Sequence, residues 1–477
     1  MKPKEYFDMH VEEMMAELGV LIEIPSVLDK NSADEGSPFG RNIANALTYV
    51  LNKASEWGMR VKNYDGYAGE ITVGAEQNLI GILAHLDVVG AGDGWKTEPF
   101  RAKVIDGEIY GRGSSDDKGP VVAALYAVKY LWDEKLLPEG SGIRMILGTD
   151  EEEEWRCITH YLSEIQVLPK YSIVPDANFP LINCEKGLLD ADFSYACVKQ
   201  ENAEYEVQVK NLSGGSAKNV VPGKASFLLQ CKNDKITDKV KQKLAEFEKI
   251  SVKIEGNTVL AEVNGKSTHA MSPEKGLNAI SLMMQSLGKL EETFFMEDVA
   301  AKYNRYVGMN YYGERLHCDL EDEVSGKLTF NVGTIRYDGR SITFGTSIRY
   351  PATVKKKQIT ETLIKQCAEA EIDFHICSEM DGLYMNENAE FIQRLMQSYR
   401  KVSKDENAVP LAIGGATYAR AIPNAVAFGP LFPYEEELAH EPNERLSIES
   451  FEKMTLIYIE ALKNLLDMLS QETKSCQ

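Results

Sequence analysis

Histidines and carboxylates recur at one kind of place in this chain, just after a short apolar run, where a buried strand would end. Leu-Ile-Gly-Ile-Leu-Ala runs into His85-Leu-Asp87, Arg-Met-Ile-Leu into Gly-Thr-Asp150-Glu151-Glu152, and Tyr-Ser-Ile-Val into Pro-Asp176. The run Asn-Ala-Val-Ala-Phe precedes a loop that carries His440, and Asp116 lies in a glycine-rich loop that enters a helix at Lys118. Open parallel sheets take their ligands beyond the carboxyl ends of the strands, which makes these positions the first to weigh. One imidazole with two or three carboxylates per ion suits zinc or a similar divalent cation, and a carboxylate shared by two ions is the usual centre of a dinuclear hydrolase. Taken singly, a strand-end Asp commonly caps a turn and a lone His is commonly a surface or core residue. The conjunction of His85, Asp116, Glu152, Asp176 and His440 at successive strand ends is what points to a metal centre.

Two local patterns add chemistry. Asp87 follows His85 by two residues on the same face of an extended segment, where it could accept the proton on the second imidazole nitrogen and fix the tautomer that binds metal. Glu151 and Glu152 point to opposite sides if extended, so one carboxylate can bind metal while its neighbour acts as a general base. The plain alternatives are a capped turn at Asp87 and a solvated acidic helix start at Asp150 to Glu154.

The elements that would position these residues are of two textures. From about residue 40 to 185 apolar strand-like runs alternate with helical ones, the mark of β/α units around a mainly parallel sheet. Strands are expected at Leu79 to Ala84, Ile143 to Leu147 and Tyr171 to Val174, with a helix from Lys118 to Leu131. After Gly187 come alternating β-like stretches (Glu204 to Lys210, Ser251 to Val263, Lys327 to Arg336) and helices expected at Asp238 to Ile250 and Gly276 to Leu290. The β/α texture then returns, with helices at Ala389 to Val402 and Ser450 to Leu469 and an apolar run at Ala425 to Phe428. The reading is an α/β chain whose mainly parallel-sheet catalytic domain, 1–186 and 381–477, carries an inserted α+β lid domain, 187–380.

A chain of 477 residues is long enough for two cores. Its net charge of -21 would repel nucleic acid and an anionic membrane surface alike. No apolar run reaches the roughly 18 residues of a membrane span, and the first residues lack the apolar core of a signal peptide, which places the chain in the cytosol. Its eight cysteines are scattered without a Cys-x-x-Cys pair and read as reduced packing residues.

The motifs resemble the co-catalytic zinc metallopeptidases that include carnosinases, aminoacylases and acetylornithine deacetylases, and most closely the bacterial PepV-type dipeptidases. The similarity runs through Ala84 to Trp95, Gly111 to Pro120, Gly148 to Glu152, Pro175-Asp176, Ser267 to Pro273 and Ala439 to Glu444, in the family's order. The resemblance implies two zinc ions per chain, with manganese or cobalt as alternatives, bridged by Asp116. It pairs His85 and Asp176 on one ion and Glu152 and His440 on the other. It makes Glu151 the base, Asp87 the partner behind His85, and the Asp116-Asp117 peptide cis. His269 in the lid is implied as the oxyanion donor, and Asn219 and Arg349 as substrate contacts, although from the residues alone these are a loop anchor, a turn residue and a strand cation. Three positions depart from the family's pattern: Ala416, Tyr434 and Ser347, all in segments expected near substrate.

The activity so implied is hydrolysis of dipeptides, small peptides being the partner, by a monomer. An N-acyl-amino-acid deacylase with the same metal chemistry is the runner-up. A catalytically silent scaffold is disfavoured by the presence of Glu151.

Overall fold

The structure is a computed structural model and describes residues 1–197, 205–290 and 296–475. The chain divides into two compact units, one comprising Met1–Asn183, Met385–Leu411 and Thr417–Gln477 and the other Cys184–Tyr384 with Ala412–Ala416. The division expected at 187–380 differs from this by a few residues at each end and by the short segment Ala412–Ala416.

The first unit is built on a sheet ordered Arg60–Tyr64, Ala68–Gly74, Ser141–Gly148, Asn78–His85, Tyr171–Val174, Ala425–Ala427, then Ile182. Its middle four strands are parallel and its edges antiparallel. Parallel register sets His85 opposite Gly148 and Ile82 opposite Ile173, so the strands' carboxyl ends, and the polar residues after them, open at the same edge. The central strands are buried on both faces, which is why they read as unbroken apolar runs rather than alternating ones. Helix Lys118–Asp133 packs against this sheet and against Pro3–Glu23 and Ile448–Ser475, and is accordingly buried nearly all round. It starts close to the Gly111–Asp116 loop: a Cβ on Gly119 would stand 2.1 Å from the Ser114 carbonyl oxygen.

The second unit is an eight-stranded antiparallel sheet ordered Ile250–Glu255, Thr258–Asn264, Lys224–Cys231, Val207–Gly214, Thr329–Tyr337, Ser341–Tyr350, Gly187–Ala196, Asp373–Met380. Burial alternates along Gly187–Ala196 and Lys224–Cys231, the pattern of a sheet with one face on a core. The expected stretch Ser251 to Val263 is in fact a hairpin turning at Gly256, whose φ is +58°. The helix expected at Asp238 to Ile250 lies earlier, at Asp234–Leu244, because the Asn233 side chain caps it by accepting from the Ile236 N–H. The expected strand at Glu204 begins at Val207; Glu204 itself lies outside the described residues. No helix among the described residues is long and apolar enough to cross a membrane.

No disulfide joins the described cysteines, and Cys377 is exposed, so the reading of every cysteine as a packing residue does not hold for it; Cys476 lies outside the described residues.

Candidate metal centre and active site

His85 ends its strand fully buried, and its two nitrogens face different partners. Nδ1 lies 2.9 Å from the backbone oxygen of Asp87, while Nε2 lies 3.1 Å from Asp116 Oδ1 and 3.7 Å from Asp176 Oδ2. A neutral ring therefore donates from Nδ1 to a carbonyl and turns the lone pair of Nε2 toward the carboxylates. The partner at Nδ1 is the Asp87 main chain; the Asp87 carboxylate, expected there, stands 3.6 Å away and instead accepts from the Glu152 N–H at 3.0 Å. Asp87 thus ties the His85 turn to the Glu152 turn.

On the other side, His440 Nε2 lies 2.9 Å from Glu152 Oε2 and 3.2 Å from Asp116 Oδ2. Asp116 consequently stands between two imidazoles with one oxygen toward each. Two groups of ligand atoms, each mutually within 4.8 Å, result: His85, Asp116 and Glu152, and His85, Glu151 and Asp176. The Asp116-Asp117 peptide is cis.

The electrostatics fit a cation at this cluster. Burial, then the charge of Asp176, pushes the Glu151 carboxyl well above the usual carboxylate range. His440 is pushed up to about 10 by its contacts with Asp116 and Glu152. At Asp116 burial works toward a higher value, but the hydrogen bonds from His440 and His85 win and hold it well below the ordinary one. Burial works to lower the His85 pKa, but the nearby carboxylates of Asp176, Asp116 and Asp87 outweigh it and raise it; a divalent ion would balance the charge of such a donor set. The mixture of imidazole nitrogen and carboxylate oxygen, without sulfur, suits zinc, manganese or cobalt.

Two residues that the motif reading left without a role are buried here. Asp117 accepts from the His85 N–H at 3.1 Å through Oδ2, and its Oδ1 has no hydrogen-bond partner among the described residues. Glu444 is 0% exposed and collects the loop that carries Asp116. A doubled Asp in Ser-Ser-Asp-Asp and a Glu at the end of His-Glu-Pro-Asn-Glu are the only sequence signals of either.

Asn219, His269 and Arg349, the residues expected to meet substrate, all lie in the second unit. Asn219 and His269 lie on paired segments, with the Ala270 N–H donating to the Asn219 carbonyl at 2.9 Å and Val220 bridged to His269. The Met271 N–H donates to His269 Nδ1 at 3.2 Å, so the neutral ring carries its proton on Nε2. Partial burial and then the charge of Arg349 lower the His269 pKa. Arg349 is buried on strand Ser341–Tyr350.

The family described as "Peptidase family M20/M25/M40" matches residues 81–464. Two bacterial proteins, each named a "putative dipeptidase", align over nearly the whole chain. The one from Bacillus subtilis is 36% identical over 462 residues, 95% of this chain and 97% of its own. The one from Staphylococcus haemolyticus is 32% identical over 468 residues, 97% of this chain and 99% of its own. Among solved structures, human carnosine dipeptidase 1 superposes with a TM-score of 0.54 at 14% identity, covering 98% of both chains. A di-peptidase from Saccharomyces cerevisiae gives 0.56 at 14%, again covering 98% of both. These two carry the fold. With the family matching from the strand that ends in His85 to the last helix, and relatives above 30% identity end to end, the chain belongs to peptidase family M20/M25/M40.

Proposed function

We propose that this protein is a dipeptidase that uses two zinc ions, held by His85 and Asp176 on one side and Glu152 and His440 on the other, with Asp116 shared. The observation that carries the reading is the placement of Asp116, one carboxylate oxygen 3.1 Å from His85 Nε2 and the other 3.2 Å from His440 Nε2. The relatives named dipeptidases support the choice of substrate. Bound ions of this kind lower the pKa of water and polarise a carbonyl.

The chain's own residues supply the rest. A Glu151 carboxylate oxygen takes a proton from the attacking water and passes it to the leaving amine nitrogen as the C–N bond breaks. His269, neutral and protonated on Nε2, donates to the oxyanion. Arg349 clamps the free α-carboxylate of a dipeptide through its planar fork, and Asn219 adds a polar contact beside it. The lack of a disulfide among the described cysteines and an acidic chain suit a reducing cytosol.

The test is a substrate panel on zinc-loaded protein, comparing unmodified dipeptides with N-acetyl amino acids. Higher kcat/KM for dipeptides is expected. Preference for the acetylated substrates would replace this reading with the deacylase one.

A further inference from the structure

A buried ion pair holds the main chain of two of the residues proposed as metal ligands. Glu444 and Arg112 are 0% and 1% exposed and meet at 2.8 Å, Arg112 Nη1 donating to Glu444 Oε2. The same Oε2 accepts the Gly113 N–H at 3.0 Å. Oε1 accepts the N–H groups of Ser115 and Asp116, at 2.8 and 3.1 Å, and the Ser115 hydroxyl at 3.1 Å. Arg112 Nη2 donates to the His440 carbonyl at 3.2 Å and to the carbonyls of Gly90 and Ala91, each at 3.3 Å. One carboxylate thus fixes the backbone of Asp116, and the guanidinium bonded to it fixes the backbone of His440.

A pair so placed is poorly explained as a stabiliser, since buried ion pairs are commonly replaceable by apolar side chains without loss of stability. Its bonds run almost wholly to main-chain atoms of the Asp116 and His440 loops and of the loop after Asp87. His440 moreover sits at φ +65°, a left-handed conformation that a non-glycine residue keeps only where its surroundings impose it. We infer that Glu444 and Arg112 are positioning residues that set Asp116 and His440 at the spacing two ions require. The inference rests on the reading of those residues as metal ligands.

Glu444→Gln keeps the side chain's size but turns an NH2 group against one pair of its donors, either Arg112 and Gly113 or Ser115 and Asp116. Metal-free protein is titrated with cobalt(II), followed by calorimetry and by the visible spectrum, well below its melting temperature. Kinetics with a dipeptide are measured alongside. Affinity for cobalt is expected to fall at least about tenfold, as for other groups that orient ligands. The cobalt bands should change shape, and kcat should fall more than KM shifts. Leu462→Ala, a fully buried core truncation, is the matched destabilised control and should leave affinity and spectrum unchanged. If Glu444→Gln does not fold, the double variant Arg112→Met, Glu444→Leu removes both charges together and is read in the same way. A folded variant of either kind that binds two ions with wild-type affinity and spectrum overturns the inference, as does failure of both to fold, which would make the pair structural. Wild-type protein that fails to bind two ions would instead overturn the metal-site reading itself.

Discussion

Glu151 and Glu152 adjoin in sequence and part company in space. The Glu152 carboxylate reaches His440 at 2.9 Å, whereas Glu151 groups with His85 and Asp176. A carboxylate in the latter place fits either a ligand or a base that meets the attacking water, and metal content separates the two. Glu151→Gln is expected to keep both ions while kcat falls at least about a hundredfold; loss of an ion from the purified variant would make Glu151 a ligand instead. Asp116→Ala removes the residue placed between both imidazoles, and metal analysis should find both positions depleted along with activity. Retention of two ions per chain would count against a shared carboxylate. Whereas Asp116 and His440 lie in loops, His85, Glu151, Glu152 and Asp176 were legible before the structure because they end or directly follow the buried central strands. The partner of His85 Nδ1 was not, since a main-chain carbonyl leaves no mark in the sequence and Asp87 offers both a carbonyl and a carboxylate. Glu444 was hidden for a related reason: its partners are backbone N–H groups of a loop more than three hundred residues away.

At the scale of elements, the sequence spoke clearly where burial was extreme. The strands Asn78–His85 and Tyr171–Val174 and the helix Lys118–Asp133 fall within two residues of the expected bounds, because they are continuous apolar segments between polar loops. Exposed elements of the second unit were harder. The hairpin is missed unless the switch of inward positions from even (Ile250, Val252, Ile254) to odd (Val259, Ala261, Val263) across Gly256 is noticed, and the helix start at Asp234 depends on a single capping Asn. One junction in the first unit is open to a direct test. Gly119 lets helix Lys118–Asp133 begin against the Ser114 carbonyl, and a methyl there meets backbone that has little freedom to move. Gly119→Ala is expected to lower the stability of metal-free protein by about 1–3 kcal/mol, the usual cost of overpacking. Because the obstructed atom belongs to the loop of Asp116, metal affinity should fall as well. Chemical denaturation with and without zinc would show both effects, and an unchanged midpoint would mean that the loop yields freely.

At the scale of the whole molecule, the interruption of β/α texture by antiparallel texture was legible from periodicity alone, period-two alternation beginning near Gly187 and parallel-type apolar runs resuming near Ala425. The grouping of Ala412–Ala416 with the second unit was not, because five residues carry no periodicity and group through contacts such as the Lys186 N–H to the Ile413 carbonyl. The large second unit bears on where the oxyanion donor comes from. In the proposed function one chain contributes both Glu151 and His269. His269→Ala should then depress kcat more than it raises KM, by roughly 2.7 to 4 kcal/mol of transition-state stabilisation, with metal content unchanged. If each chain is self-sufficient, mixing inactive Glu151→Ala and His269→Ala proteins under conditions that permit subunit exchange should yield no more activity than the two give separately. A site shared between chains would behave differently, since a mixed pair assembles one composite site containing both an intact Glu151 and an intact His269. Activity above the sum, together with a sedimentation mass near that of two chains, would assign His269 to the neighbouring copy and overturn the self-sufficient arrangement, while leaving the roles of the two residues as proposed.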